Sequence, residues 1–215
     1  MSNTMIIPEQ KVMDLDYSPK DLLQLDLSYR NSSLSNIGSQ RELEHYINSE
    51  LRAKNKSYAI GGYGEDRRIY QRFEHFDTQE SKRTIHLGLD FWAPAGSGIN
   101  APMDGRVHSW AFNNNPGDYG ATLILEHNYQ GKTLYSLYGH LALAELEGLT
   151  EGKRLKAGEC IARLGDYPEN GGWPPHLHFQ LIYDMEGFKG DYPGVVEPHQ
   201  AEAYLKNCPN PVKFF

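Results

Sequence analysis

The chain has 215 residues, enough for one domain with extensions or two small domains, each able to bury a core. Its 28 acidic against 21 basic side chains give a formal net charge of −7, and no face-forming cluster of Lys and Arg stands out, which argues against a nucleic-acid partner. The 2 cysteines have no CxxC spacing, which argues against a disulfide framework and against a thiolate metal site.

The N-terminus lacks the basic start and apolar run of a secretory signal, and no stretch is long enough to span a membrane, so the expectation is a cytoplasmic protein without a membrane partner. Residues 1–57 read as a mostly helical N-terminal extension. Ser18-Pro19 can open a helix, although the alternation of Leu23, Leu25 and Leu27 fits a strand equally well. Ser39 and Glu42 form a capping box, followed by Leu43, Tyr46, Ile47 and Leu51 as one apolar stripe at helical spacing. His45 lies beside that stripe and receives no chemistry.

From Tyr58 the texture changes to short β-like runs broken by glycine and proline, the pattern of a mainly β core over 58–184. Gly61-Gly62-Tyr63-Gly64 lacks the Lys-Ser/Thr ending of a phosphate loop. Tight turns or close backbone approach explain these glycines, and Tyr63 would offer a hydroxyl if they line a site entrance. Asp104-Gly105 is a hairpin signal. Arg106 to Phe112 reads as a strand with His108, Trp110 and Phe112 on one face. His127 reads as a strand-end residue, and Cys160 and Ile161 as core. Residues 185–215 form a C-terminal extension with a loop and a short helix near His199. His75 and His199 are expected at the surface.

Three short segments carry the chemistry. His86-Leu87-Gly88-Leu89-Asp90 places an imidazole and a carboxylate four positions apart. A straight strand would separate their Cα atoms by about 13 Å, whereas two atoms on one zinc lie within roughly 4 Å of each other. The chain must therefore bend, and Gly88 is the expected hinge. Tyr138-Gly139-His140-Leu141 adds a third histidine. In His176-Leu177-His178-Phe179 the two imidazoles leave an extended segment on one face, about 6.6 Å apart at Cα. One of that pair can bind metal while the other faces the neighbouring water. Catalytic zinc takes three protein ligands and keeps a fourth position for water. His86, Asp90 and one member of the pair supply three, and His140 with the other member flanks the open position.

These segments, with A-P-A-G, A-P-M-D-G-R-V, L-I-L-E-H and L-K-A-G-E-C-I-A between them, resemble the lysostaphin/LytM-type M23 zinc metallopeptidases over about residues 84 to 182. The resemblance implies a compact antiparallel β core, of the duplicated hybrid-motif kind, holding one Zn2+ per chain. It implies His86, Asp90 and His178 as ligands, and His140 and His176 as catalytic residues. The implied reaction is hydrolysis of glycine- or D-alanine-containing peptide bonds, with a peptide or muropeptide as substrate. The alternative is a binding or regulatory module that keeps the scaffold without turnover. The chain departs from the family pattern in the loop Tyr167 to Pro174, which should reshape the groove, and in Gln180, where many members carry Glu.

Overall fold

The computed structural model describes residues 6–67, 83–115 and 117–215. Antiparallel β-sheet dominates it. The chain first forms β1 (Met13–Asp14) and β2 (Leu22–Gln24), then the helix α1 (Gln40–Ala53) and β3 (Tyr58–Gly61). β4 (Ile85–His86), β5 (Leu89–Trp92) and β6 (Gly98–Asn100) follow. The long strands are β7 (Gly105–Asn113), β8 (Gly120–Tyr129) and β9 (Lys132–Leu141). After β10 (Arg154–Leu155) and β11 (Cys160–Arg163) come β12 (His176–Ile182), β13 (Val195–Val196) and the helix α2 (Ala201–Asn207).

An eight-stranded sheet runs β10-β7-β8-β9-β12-β5-β3-β2; a second sheet runs β1-β6-β11, and β13 pairs with β4. Among the described residues every pairing is antiparallel except β2 on β3. The main core lies on one face of the large sheet, where Phe91, Leu123, Leu125, Phe179 and Leu181 meet Ile99 and Ala162 of the small one. On the opposite face Leu87, Ile124, Leu137 and Ile182 pack with Tyr192 and Cys208 of the tail. The sheet is covered on both faces, so all seven residues of β12 are buried, including the polar His176, His178 and Gln180 on one of them.

The expectation of a mostly helical 1–57 gives way. α1 is the only α-helix there among the described residues, capped by Ser39 Oγ, which accepts from Glu42 N at 3.3 Å. The Leu23–Leu27 alternation resolves as extended chain: β2 adds to the edge of the large sheet, and β1 joins the small one. Leu25 and Leu27 then pack under α1 with Trp92 and Trp173.

Asp104-Gly105 makes no hairpin, because β6 and β7 belong to different sheets. Asp104 instead accepts from Ala157 N and Lys156 Nζ, and a Cβ on Gly105 would lie 2.5 Å from the His127 ring. His127 is not a strand end but sits buried within β8. Cys160 is exposed rather than in the core, since β11 is short and buries only Ala162. His199 is exposed, and His75 lies outside the described residues.

Candidate metal centre

The register of β12 between its neighbours assembles the site. Asp90 of β5 and Gly139 of β9 flank His178 on either side, and Trp92 pairs with His176. Because side chains alternate along a strand, Leu177, Phe179 and Leu181 enter the main core while His176, His178 and Gln180 emerge together on the other face. A slip of one residue would bury the imidazoles among leucines and phenylalanines.

His86 stands at the end of β4, before the bend at 87–88 that leads into β5. The expected bend exists, but the reason for Gly88 differs. Its backbone is not left-handed; a Cβ there would meet the His178 ring at 2.5 Å and Phe179 O at 2.9 Å. Close approach of a ligand ring, not a special dihedral angle, requires the glycine.

The structure brings His86, Asp90 and His178 together, with one candidate ligand atom from each lying within 4.8 Å of the others. Hydrogen bonds fix which atoms these are. His86 Nδ1 is 3.0 Å from Gly62 O, and a carbonyl can only accept, so Nδ1 carries the proton and Nε2 a lone pair. Gln180 Nε2 donates to Pro193 O at 3.1 Å, which turns its Oε1 toward His178 Nε2 at 3.0 Å. His178 therefore keeps its proton on Nε2 and presents Nδ1. The two bare nitrogens face each other at 2.9 Å, with Asp90 Oδ1 3.4 Å from one and 3.2 Å from the other. Asp90 Oδ1 is buried and has no hydrogen-bond partner. Three lone pairs converging on one buried point repel one another unless a cation lies between them, and two imidazoles with a carboxylate form a donor set that suits zinc.

Electrostatics agree. Burial alone would raise the Asp90 carboxyl, but His86, Arg67 and His176 together hold it well below the usual range. Burial, reinforced by Arg67, pushes the His86 imidazole down to about 4, so it is a neutral donor near neutrality.

His140 and His176 lie alongside, their rings 4.2 Å apart, with His176 Nε2 3.9 Å from Asp90 Oδ1. Each commits Nδ1–H to a backbone carbonyl, His140 to Asn170 O at 2.8 Å and His176 to Pro174 O at 2.7 Å, leaving Nε2 as an acceptor. Burial lowers both pKa values. The His176 ring is stacked on Trp92. His140 has φ of 63°, a left-handed conformation rare outside glycine. It is held there by its N–H to Tyr119 O at 2.7 Å and by Gly165 N–H to its carbonyl at 2.9 Å, next to a register shift between β8 and β9.

Four contributors escaped sequence reasoning: the carbonyls of Gly62 and Asn170, the Tyr119 ring 5.0 Å from that of His178, and the buried Arg67 that donates to Asp90 Oδ2. Backbone carbonyls leave no residue-type signal, and Arg67 lies 23 positions from Asp90. Tyr63, expected at the entrance, instead donates its hydroxyl to Cys208 O. A groove of about 550 Å³ opens over the cluster, its lining including Leu27, Leu43, Trp173, Arg83, Asp118 and Asp191.

Residues 84–189 match the sequence model of Peptidase family M23. The DD-carboxypeptidase/endopeptidase Mpg of Neisseria meningitidis serogroup B is 33% identical over 97 residues, 45% of this chain and 20% of that protein. The peptidoglycan DD-endopeptidase ShyC of Vibrio cholerae is 31% identical over 118 residues, 55% of this chain and 24% of its own length. The chain thus spans about a fifth to a quarter of these curated relatives. Among solved structures, the catalytic domain of lysostaphin from Staphylococcus simulans aligns over 58% of this chain and 81% of its own, at 23% identity and a TM-score of 0.39. With the histidine–aspartate–histidine cluster intact inside it, the 84–189 segment belongs to the M23 metallopeptidases.

Proposed function

We propose that the protein is a zinc-dependent endopeptidase that hydrolyses glycine- or D-alanine-containing peptides of the peptidoglycan type by a metal-activated water. The observation that carries this is the convergence of three buried lone pairs, on His86, Asp90 and His178, beneath an open groove with two further neutral imidazoles beside them. One Zn2+ held there would lower the pKa of a bound water to about 7 and polarise a substrate carbonyl.

The chain's own residues do the rest. With Nδ1 committed, His140 and His176 each keep Nε2 as an acceptor beside the cluster, that of His176 3.9 Å from Asp90 Oδ1 and the His140 ring 4.2 Å from the His176 ring. Either can take a proton from the attacking water, and once protonated it can donate to the developing oxyanion or pass the proton to the leaving amine. The carbonyls of Asn170 and Pro174 keep each ring in the acceptor tautomer and stabilise it when protonated. The groove lining offers apolar contact from Leu27, Leu43 and Trp173 and charged groups of both signs, Asp118, Asp191 and Arg83, for the backbone and termini of a peptide.

The test is metal analysis of the purified chain followed by digestion of pentaglycine and of muropeptides with and without chelator. About one zinc per chain and chelator-sensitive cleavage of at least one substrate class are expected. Full metal content with no cleavage of either class would favour the non-catalytic module.

A further inference from the structure

Asp90 is buried, and a carboxylate in such a place needs a positive partner whether or not a metal is bound. That partner lies outside the matched 84–189 segment. Arg67 is 1% exposed; its Nη1 donates to Asp90 Oδ2 at 2.5 Å and its Nε to Glu65 Oε2 at 2.6 Å. Glu65 is itself anchored, since Oε1 accepts from Leu27 N at 3.1 Å, and the guanidinium lies over the Trp92 ring at 5.8 Å. A Cβ on Gly62 would fall on the same guanidinium, while the Gly62 carbonyl holds His86. The 61–67 segment thus grips two of the three candidate ligands.

The division of labour at Asp90 is sharp. Oδ2 is taken by Arg67, and Oδ1, left without a hydrogen bond, faces His86 Nε2 and His178 Nδ1. The planar guanidinium fork spans two carboxylates at fixed angles, which a lysine ammonium cannot reproduce. Resting on the metal-centre reading above, we propose that Arg67 is a positioning residue with two roles. It turns Asp90 so that a single oxygen addresses the metal, and it supplies the charge that keeps the metal-free pocket folded. With zinc bound, the ion also offsets the carboxylate; without it, Arg67 carries that burden alone among the arginines and lysines paired with Asp90 in the described residues.

The experiment uses the full chain as parent, Arg67→Met and Arg67→Lys, with zinc affinity measured by competition titration and melting followed with zinc and with chelator. Arg67→Met is expected to bind zinc about 10–100-fold more weakly, as for other residues that orient ligands. Its melting is expected to fall below the parent in chelator, where the buried carboxylate has lost its counter-charge, and further below it in zinc, because the weakened site adds less stability. Equal drops in both conditions with unchanged affinity would reduce Arg67 to a structural residue and overturn the proposal. Should Arg67→Met fail to fold, Arg67→Lys decides: weakened zinc affinity with near-parental melting in chelator supports the role, and parental affinity sinks it. A parent that takes up no zinc would bring down the metal reading and this proposal together, whereas normal uptake beside an indifferent Arg67 variant brings down the proposal alone.

Discussion

Two buried histidine clusters draw on the eight-stranded sheet, one of them joined by His86 from β4 beside it, and they differ in how their polar atoms are partnered. At His127 every polar atom is answered: Nδ1 donates to Asp104 O at 3.0 Å, Nε2 meets Ser136 Oγ at 2.7 Å, and Ser136 Oγ bonds the Tyr138 hydroxyl at 2.9 Å. At His86, Asp90 and His178 the outward atoms are equally well partnered, by Gly62, Arg67 and Gln180, but the three inward atoms have only one another. A closed network fixes a fold; an open one of this kind stores a demand for a cation. Burial and residue type alone would not separate the two clusters, and the accounting of lone pairs does.

The largest effect expected from breaking this contrast is at Asp90. Asp90→Ala should abolish zinc binding and reduce peptide cleavage to the level of the chelated parent, while Arg67 keeps Glu65 as its counter-ion and the fold survives. His127→Ala should do the reverse: metal content and turnover unchanged, stability lower by about 1–3 kcal/mol from the partners left unpaired. Metal analysis with denaturant titration of both variants checks the pair, and loss of zinc in His127→Ala would erase the distinction. Next comes His140→Ala, expected to retain full zinc while cleavage falls by roughly 10²–10⁴, the usual share of general acid–base catalysis. Parental turnover in that variant would remove His140 from the reaction.

The third effect is on pH. The His86 imidazole has a folded pKa of about 4, lowered first by burial, against an unfolded value of ~6.5. Between those values the unfolded chain binds a proton that the folded chain refuses, so stability falls as pH falls through this window. His140 and His176, also lowered by burial, act with the same sign. Each histidine can contribute at most about 1.4 kcal/mol per pH unit. Urea titrations of the chelated protein between pH 6.5 and about 5, above most carboxylate titration, should show this slope, and His86→Ala should flatten it. A flat parent profile would mean that these rings titrate in the folded chain as they do in the unfolded one.

Much of this was legible in the sequence because the ligands lie on strands. Alternation along 176–182 put both imidazoles on one face, and the spacing from His86 to Asp90 demanded a bend that the chain makes. What stayed hidden was contributed by chain paths that no local pattern encodes. The β2–β3 pairing that brings Leu27 to Glu65, and through it Arg67 to Asp90, depends on a parallel contact between segments more than 30 residues apart. The glycines misled for a similar reason: Gly88 and Gly105 each make room for a histidine ring from another strand, a tertiary cause that looks like a turn signal when read alone.

The smallest expected effect lies where the open network meets the C-terminal tail. Gln180 is 0% exposed; its Oε1 accepts from His178, and its Nε2 donates to Pro193 O and to Cys208 Sγ at 3.3 Å. Gln180→Glu would bring the chain to the residue that many members of the family carry. The first oxygen would still accept from His178 Nε2–H, so zinc affinity should change by less than about tenfold, below the range seen when an orienting partner is lost. The second oxygen would replace a donor with an acceptor opposite the Pro193 carbonyl, at a cost of roughly 1–3 kcal/mol in stability. Here the glutamine belongs with the tail that covers it: a neutral amide can serve the ligand ring and the 193–208 segment together, and a carboxylate can serve only the first. A Gln180→Glu variant more stable than its parent would show that the Pro193 contact does not select the amide.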